Sequence, residues 1–429
     1  MTNPTSLAWN TIAEKINLEA WLASSDSPLE LTAQQIKAYT GREPRLMTKF
    51  DTRESRPSIL QRITILPVTN GTYVLLRGDG YVDVPKANRT QRWSIPPKSK
   101  NLVTLPWAQG PASESQALDI ALATGLLEDF IEDKVQLTIR GRLRSPSFDF
   151  SFDSHGKRVA LTTSGVQIEV DAGFEGQRIH LIEAKLGSRS NFHNRQLYYP
   201  FRMWHTLVPE KQVSTVFLSY SNRGYSLRRF DAKSESFSQY HGLLLTKSVD
   251  YLLDEPTPIP SLEEILADTH LTKIESILPF PQANEIRRVI DIVDSVAAGL
   301  SARSEISNHY DLDDRQADYY ANAAGFLGLV LRNDVGFRLT ESGSHFSHMR
   351  RNERILWLIR EIASRTVFRH VLETVSTTGK LPSREAVAEL ISRYIGLSGK
   401  TPSRRAGTVL AWVKWVLENT STQLTMAFD

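Results

Sequence analysis

The chain has 429 residues, 41% of them hydrophobic and 23% charged, and its 51 lysines and arginines nearly balance 48 aspartates and glutamates for a net charge of +3. This is ordinary globular usage at a length that accommodates two or more domains with cores of their own, and so even a balance means that any basic surface is local. With no cysteine, disulfides, thiolate zinc sites and cysteine nucleophiles are excluded; MTNPTSLAWN has no leader-like progression and no apolar run nears the roughly 18 residues of a membrane span, so a cytoplasmic protein that does not engage a membrane is expected.

Residues 1–105 read as a small α+β module. SLAWNTIAEKINLEAWL has helical spacing, with Leu7, Ile12, Ile16 and Leu18 as candidate core contacts. TAQQIKAYTG predicts a second helix, opened by a Thr32–Gln35 capping box and stopped at Gly41. The strand-like runs ITILPV (63–68) and TYVLLRG (72–78) flank Asn70-Gly71, a dipeptide that favours a tight hairpin turn.

In a second domain, 106–252, the signals run helix, strand, strand, strand, helix, strand. SESQALDIALATGLLEDFIED has helical spacing, SFDFSF and VQIEVD alternate with period two, and IHLIEAK is a half-alternating strand. NFHNRQLYYPFRMWHTL reads as a helix that Pro200 starts, kinks or ends, and STVFLSY as a buried strand. Five prolines in DEPTPIPSLEEIL and LPFPQ mark 253–283 as a linker.

Residues 284–350 begin with NEIRRVIDIVDSVAAGL, which sets Ile286, Val289, Ile290, Val293 and Val296 on one helical face. SEISNHY, DDRQADYYANAAGFLG and the ribbon LVLRNDVGFRLTESG follow, and three helices with a two-stranded ribbon predict a winged helix. The tail, 351–429, repeats this in outline with RTVFRHVLETVS, SREAVAELISRYI and PSRRAGTVLAWVKWVLENT. Thr401 is placed to cap the last helix and Pro402 to sit in its first turn, so a second winged-helix-like module is expected.

The chemistry concentrates in QIEVDAGFEGQRIHLIEAKLG, residues 167–187. Residues i and i+2 of a strand share a face, so Glu183 and Lys185 project together while Ile182 and Ala184 turn toward the core. Asp171 ends the preceding strand in this reading, and a turn as long as AGFEGQR separates it from Glu183 unless the chain bends at Ala172-Gly173. Two carboxylates and a lysine on one sheet edge need compensation, which a hard divalent ion held by oxygens supplies, magnesium first. Such an ion acidifies a bound water and stabilises charge at a reacting phosphorus while the ammonium steers the water, so phosphodiester hydrolysis is indicated. An exposed Glu183–Lys185 ion pair, worth under about 1 kcal/mol, produces the same pattern without a site.

Asp171 followed by Glu183-Ala184-Lys185, in this order of elements, resembles the PD-(D/E)XK nuclease superfamily, with Val170 standing where the motif has proline. REPRLMTKFD (42–51), SESQALD (113–119), QIEVDAGFEG, LIEAK, RQLYYPFR (195–202), RQADYYANAAGFLGLV and RRAGTVLAWVKW resemble a group of type II restriction endonucleases with C-terminal winged-helix segments. The resemblance implies a multidomain α/β and α protein: an αβββαβ nuclease core between the N-terminal module and winged-helix or helical modules. It implies that Asp171 and Glu183 hold magnesium, that Lys185 acts on the water, and that Glu114 adds an acid from the first core helix, with Gln196 in support. Glu169 shares a face with Asp171 and competes for the place of Asp171 or Glu114. The implied partners are double-stranded DNA and, in the same system though not necessarily in contact, a cognate DNA methyltransferase.

Several basic groups suit DNA. Arg140, Arg142 and Arg144 alternate in TIRGRLR, matching phosphates or guanine edges, and equally a solvated strand face. Arg315, Gln316, Tyr319 and Tyr320 open the helix that would meet bases in a helix-turn-helix arrangement, with Arg332 and Arg338 on the ribbon reaching the backbone; packing tyrosines in a protein-binding module fit the same pattern. Arg404 and Arg405 open the last helix, where Trp412 and Trp415 read as core. Arg42, Arg45 and Lys49 form a basic loop around Pro44. His180, His193 and His205 have no recurrent ligand spacing, His345 and His348 fall in an expected loop or helix end, and no GxxxxGK(S/T) loop is present, so neither a zinc site nor ATP-driven translocation is indicated.

The reading that follows is a magnesium-dependent, sequence-specific duplex endonuclease. One acid cluster per chain cuts two strands most simply as a homodimer on a palindromic or near-palindromic site. The alternatives are a non-catalytic winged-helix regulator or accessory subunit, and a structure-selective repair nuclease.

Overall fold

The computed structural model describes residues 4–24, 27–106, 110–233, 235–253, 258–272, 279–310, 312, 314–333 and 336–420. At the N-terminus Asn17, at φ 51°, divides the helical stretch into α1 (Pro4–Lys15) and α2 (Leu18–Ser24). Ile12 and Leu18 are buried and Ile16 half-buried, but Leu7 is 53% exposed and Trp9 is the buried residue of that turn. Trp9, Ile12, Ala13 and Ile16 recur at the i, i+3, i+4, i+7 spacing of one face, and Leu7 falls off it. β1 (Leu29–Thr32) leads into α3 (Ala33–Thr40), with the reciprocal Thr32–Gln35 capping box at its start and Gly41, at φ 68°, at its end. α4 (Pro44–Thr48), β2 (Ile63–Thr69) and β3 (Thr72–Arg77) complete the module. β2 and β3 pair antiparallel about Asn70-Gly71, and the sheet order is β1-β3-β2.

The chain then forms β4 (Tyr81–Asp83), β5 (Arg89–Trp93), α5 (Pro97–Lys100), α6 (Glu114–Ala123), α7 (Leu126–Ile131), β6 (Gln136–Arg144), β7 (Phe148–Ser154) and β8 (Lys157–Thr163). β9 (Gln167–Glu175), β10 (Ile179–Leu186), β11 (Asn191–His193), α8 (Arg195–Leu207), β12 (Val213–Ser221), β13 (Gly224–Ala232) and β14 (Leu243–Leu253) follow. Seven of these strands form one mixed sheet, ordered β5-β14-β13-β12-β10-β9-β6. β9 is antiparallel to β6 and β10, while β10 and β12 run parallel, joined by a crossover through α8 as parallel neighbours require. β5 belongs to this sheet although the N-terminal module was expected to run to residue 105.

SFDFSF is not a strand of the large sheet. As β7 it pairs with β8 in a separate hairpin, and TIRGRLR, within β6, lies beside β9 instead. Phe148, Phe150 and Phe152 bury one face of β7 against Tyr198, Tyr199 and Tyr240, so its period of two is satisfied by packing across α8. The expected helix over 113–133 is broken at Gly125, whose φ of 72° starts α7. NFH of the second expected helix is β11, paired with β4, and Pro200 lies inside α8.

One compact unit comprises residues 1–220 and 224–252, the other 221–223 and 253–429. In the second unit α9 (Leu262–Asp268) lies within the proline-rich segment 253–283, of which residues 254–257 and 273–278 are outside the described residues. α10 (Ile286–Ala297), α11 (Arg303–Tyr310), α12 (Asp314–Phe326) and the antiparallel pair β15 (Val330–Arg332) and β16 (Phe337–Leu339) come next. Ile286, Val289, Ile290 and Val293 are buried on α10 as their spacing predicts. α13 (Glu341–His348), α14 (Arg351–Ala363), α15 (Thr366–Thr378), α16 (Arg384–Ile395) and α17 (Thr401–Asn419) follow, with no strand among the described residues of 351–420. Thr401 is the first residue of α17 rather than its cap, since Lys400 occupies the cap position. A single apolar cluster runs from Leu262 to Leu417, taking in Trp412 and Trp415, so the described residues of 284–350 and of 351–420 share one core. No helix among the described residues is long and apolar enough to cross a membrane. The chain is thus a multidomain α/β protein with a mixed sheet and a helical C-terminal region.

Candidate active site

The register of β9 on β10 builds the site. Glu175, Phe174, Gly173 and Ala172 stand opposite Ile179, His180, Leu181 and Ile182; the paired register ends there, and Asp171 and Glu183 are the next residues of their two strands. Asp171 does not end its strand. β9 runs on through Ala172, Gly173 and Phe174 to Glu175, and the separation expected of a long turn does not arise. The Ala184 N–H donates to Asp171 Oδ2 at 2.8 Å, locking the carboxylate to the neighbouring strand.

Every position of β10 is buried, so Glu183 and Lys185 are not the exposed pair that surface screening would make cheap; each is 8% exposed. Lys185 Nζ donates to Glu183 Oε1 at 2.7 Å and lies 3.6 Å from Glu114 Oε1 at the start of α6. Gln196, in the first turn of α8, donates through Nε2 to the same Glu183 oxygen at 2.5 Å. Burial pushes the Glu183 carboxyl up to about 8, with the Asp171 charge adding to it and Lys185 opposing. Burial works against the Lys185 ammonium too, yet Glu183, Glu114, Asp51 and Asp171 around it hold its pKa well above the usual lysine value.

Two residues of this cleft, Asp51 and Arg195, are not among the site residues expected from the sequence. Asp51 comes from the N-terminal module, just after α4, and is 4% exposed; its Oδ2 faces Lys49 Nζ at 3.3 Å. Burial raises its pKa, but the Lys49, Lys185 and Arg195 charges outweigh that and hold it below the ordinary aspartate value. Arg195 opens α8 beside Gln196 and also lines the cleft. The stretches REPRLMTKFD and RQLYYPFR contain these residues, but nothing in their local spacing singles them out.

The cleft has a volume of about 430 Å³, and its walls include Arg45, Lys49, Asp51, Glu114, Arg142, Glu169, Asp171, Glu183, Lys185 and Gln196. Glu169 is engaged from both sides, its Oε2 by Arg45 Nη2 at 2.8 Å and its Oε1 by Arg142 Nε at 3.4 Å. That double pairing makes it the rim partner of two arginines. Arg42 turns away to Thr5 Oγ1 at 3.1 Å. The β6 arginines do not share one uninterrupted face, because the β6–β9 register shifts between Ile139 and Gly141. Arg142 and Arg144 stand opposite Glu169 and Gln167, while Arg140 meets Asp119 at 3.5 Å.

Arg315, Gln316, Tyr319, Arg404 and Arg405 lie in the second unit, on α12 and α17. Arg315 Nε donates to Tyr319 Oη at 2.6 Å, Tyr320 is buried, and Arg332 lies 3.6 Å from Asp318 Oδ1. Burial lowers the pKa of Arg405, with Arg404 adding to this and Tyr319 opposing it. His180 and His193 are buried and His205 stacks on Phe201.

Among the described residues no group of three or more His, Asp and Glu side chains forms a metal cage. The donors at the β9–β10 edge nonetheless suit a hard divalent cation. Hydrogen bonds engage Asp171 Oδ2 and Glu183 Oε1, leaving Oδ1 and Oε2 as hard oxygen donors, and two carboxylates plus water and phosphate oxygens is the kind of shell magnesium takes. A cation there would also relieve the burial cost that Glu183 carries.

Three family matches cover most of the chain. Residues 6–75 match a domain of unknown function (DUF6996), residues 76–252 another (DUF6997), and residues 288–421 a third (DUF7226). No curated protein and no solved structure matches the chain.

Proposed function

We propose that the chain is a magnesium-dependent, sequence-specific double-stranded DNA endonuclease of the type II restriction kind, with a PD-(D/E)XK core and a winged-helix module, acting in the cytoplasm. The observation that carries this reading is Asp171 held by the Ala184 N–H, next along the strand from Glu183, with Lys185 hydrogen-bonded to Glu183 on a cleft wall. The order α6, β6, β9, β10, α8, β12 around that wall supports it, because it is the helix-strand-strand-strand-helix-strand order that the resemblance implies. α10, α11 and α12 with the β15–β16 ribbon support the winged-helix assignment.

Asp171 and Glu183 would hold the ion, which when bound supplies an acidified water and charge stabilisation at phosphorus. The Ala184 N–H fixes the Asp171 carboxylate, and Gln196 together with Lys185 fixes that of Glu183. Lys185, kept charged by the carboxylates around it, orients the attacking water and a non-bridging phosphate oxygen instead of removing a proton. Glu114, on the far side of the ammonium, helps to hold it in place. Double-stranded DNA is the partner, cut by a homodimer, with a cognate methyltransferase protecting the same sites.

The test is digestion of a panel of unmethylated genomic and phage DNAs with magnesium, followed by sequencing of the fragment ends. Uniform ends at one sequence are expected. DNA left intact across salt and pH but shifted in mobility would replace this reading with a non-catalytic regulator, and cuts confined to branched or mismatched DNA would replace it with a repair nuclease.

A further inference from the structure

Five cationic side chains line the cleft among the described residues, and four of them are paired. Lys185 is held by Glu183 and Glu114, Lys49 by Asp51, and Arg45 and Arg142 by Glu169. The fifth is Arg195, whose guanidinium takes part in no hydrogen bond or ion pair among the described residues. It is half-buried, neither sunk in the core nor free at the protein surface, and its backbone is anchored at the start of α8, where its own N–H donates to His193 Nδ1 at 3.3 Å. Asp51, the carboxylate whose charge it feels, is turned to Lys49 through Oδ2, and its buried Oδ1 has no hydrogen-bond partner among the described residues.

A guanidinium without a protein partner, one residue from the glutamine that positions Glu183, is placed for an anion brought in by the substrate. Resting on the nuclease reading, we propose that Arg195 binds a backbone phosphate of the strand being cut, presenting its planar donors to the non-bridging oxygens beside the Asp171, Glu183 and Lys185 cluster. Arg suits this better than Lys, since its fork of N–H groups matches two phosphate oxygens at once and its charge does not titrate. The arginines on the rim meet DNA only by giving up Glu169, whereas Arg195 exchanges nothing but water for phosphate.

Two measurements test it. First, inorganic phosphate is titrated calorimetrically into metal-free full-length protein at low ionic strength. Wild type is expected to bind one phosphate, Arg195→Ala to bind it about tenfold more weakly or worse, and Arg195→Lys to fall between. No binding by wild type, or equal binding by Arg195→Ala, overturns the proposal. Second, once fragment ends have located the cut, duplex binding is compared for wild type and Arg195→Ala on natural DNA and on DNA with a neutral methylphosphonate at the cut linkage. The two changes are expected to be non-additive by about tenfold, and simple additivity overturns the proposal even if cleavage is normal. Should no DNA be cut, the nuclease reading fails by itself, and the phosphate titration still decides the role of Arg195.

Discussion

Lys185 is where burial and charge meet most directly. A buried ammonium survives only because carboxylates surround it; under the proposed nuclease function, its removal would leave the surfaces that position DNA untouched while taking away the group at the reacting phosphate. Lys185→Ala is therefore expected to abolish cleavage and leave cognate binding within about tenfold, as a gel-shift series beside a digest will measure; turnover within about tenfold of wild type would remove Lys185 from the site. Glu183 makes a prediction in pH. Its folded pKa is raised to about 8 by burial, from an ordinary 4.5, so between those values the folded chain keeps a proton that the unfolded chain has released. By linkage the stability this group contributes is complete below about 4.5 and is lost as pH rises through about 8. Glu183→Gln removes that loss, and its melting temperature should gain on wild type steadily between pH 5 and pH 8.5; a difference that stays constant over this range contradicts the burial effect.

At the scale of elements, the close approach of β6 and β9 and the bridge at the cleft rim act on function differently. Gly173 lies in β9 two residues beyond Asp171, and a Cβ added there would come within 2.6 Å of Ile139 Cβ on β6. Gly173→Ala must push the two strands apart, so a loss of about 1–3 kcal/mol is expected, read as a fall of roughly 3–10 °C in melting temperature together with weaker cleavage. The Glu169 bridge to Arg45 and Arg142 is half-exposed at all three side chains and adds little stability. Glu169→Ala should hold its melting temperature within about 3 °C of wild type. It should also bind DNA more tightly at low salt, because it frees two guanidinium groups and deletes a charge that repels phosphate. Weaker binding at 50 mM salt would show that Glu169 itself supports the substrate.

For the whole molecule, the expectation is assembly. Under the proposed function a chain with one Asp171, Glu183 and Lys185 cluster would address one strand of a duplex, so two chains about a two-fold axis would cut both, on a palindromic or near-palindromic site. Light scattering of Lys185→Ala protein with its cognate duplex should give the mass of two chains per duplex. A mass of one chain per duplex at saturation, with an asymmetric cut site, would refute the dimer. The second unit enters such an assembly as one body, since a single core from Leu262 to Leu417 joins the α10–α12 region to the C-terminal helices.

What the sequence by itself determined are the features written within a few residues of each other. The Thr32–Gln35 capping box, the hairpin at Asn70-Gly71, the buried face of α10 and the shared side of Glu183 and Lys185 each follow from local spacing, because caps, tight turns and the periods of helix and strand are set by short-range geometry. What only the tertiary structure decided are partners distant along the chain. Period two in SFDFSF says that one face is buried, not against what, and the answer is the aromatic side of α8, with TIRGRLR taking the place in the sheet. Glu169 alternates just as Asp171 does, and it is Arg45, 124 residues earlier, that draws it to the rim. Asp51 acts on Lys185 from another module, and Arg195 is the cation left over once every other cation of the cleft among the described residues has found its carboxylate. Such pairings depend on register and on which side chains desolvate together, quantities that belong to the folded chain and have no counterpart in any short stretch of it.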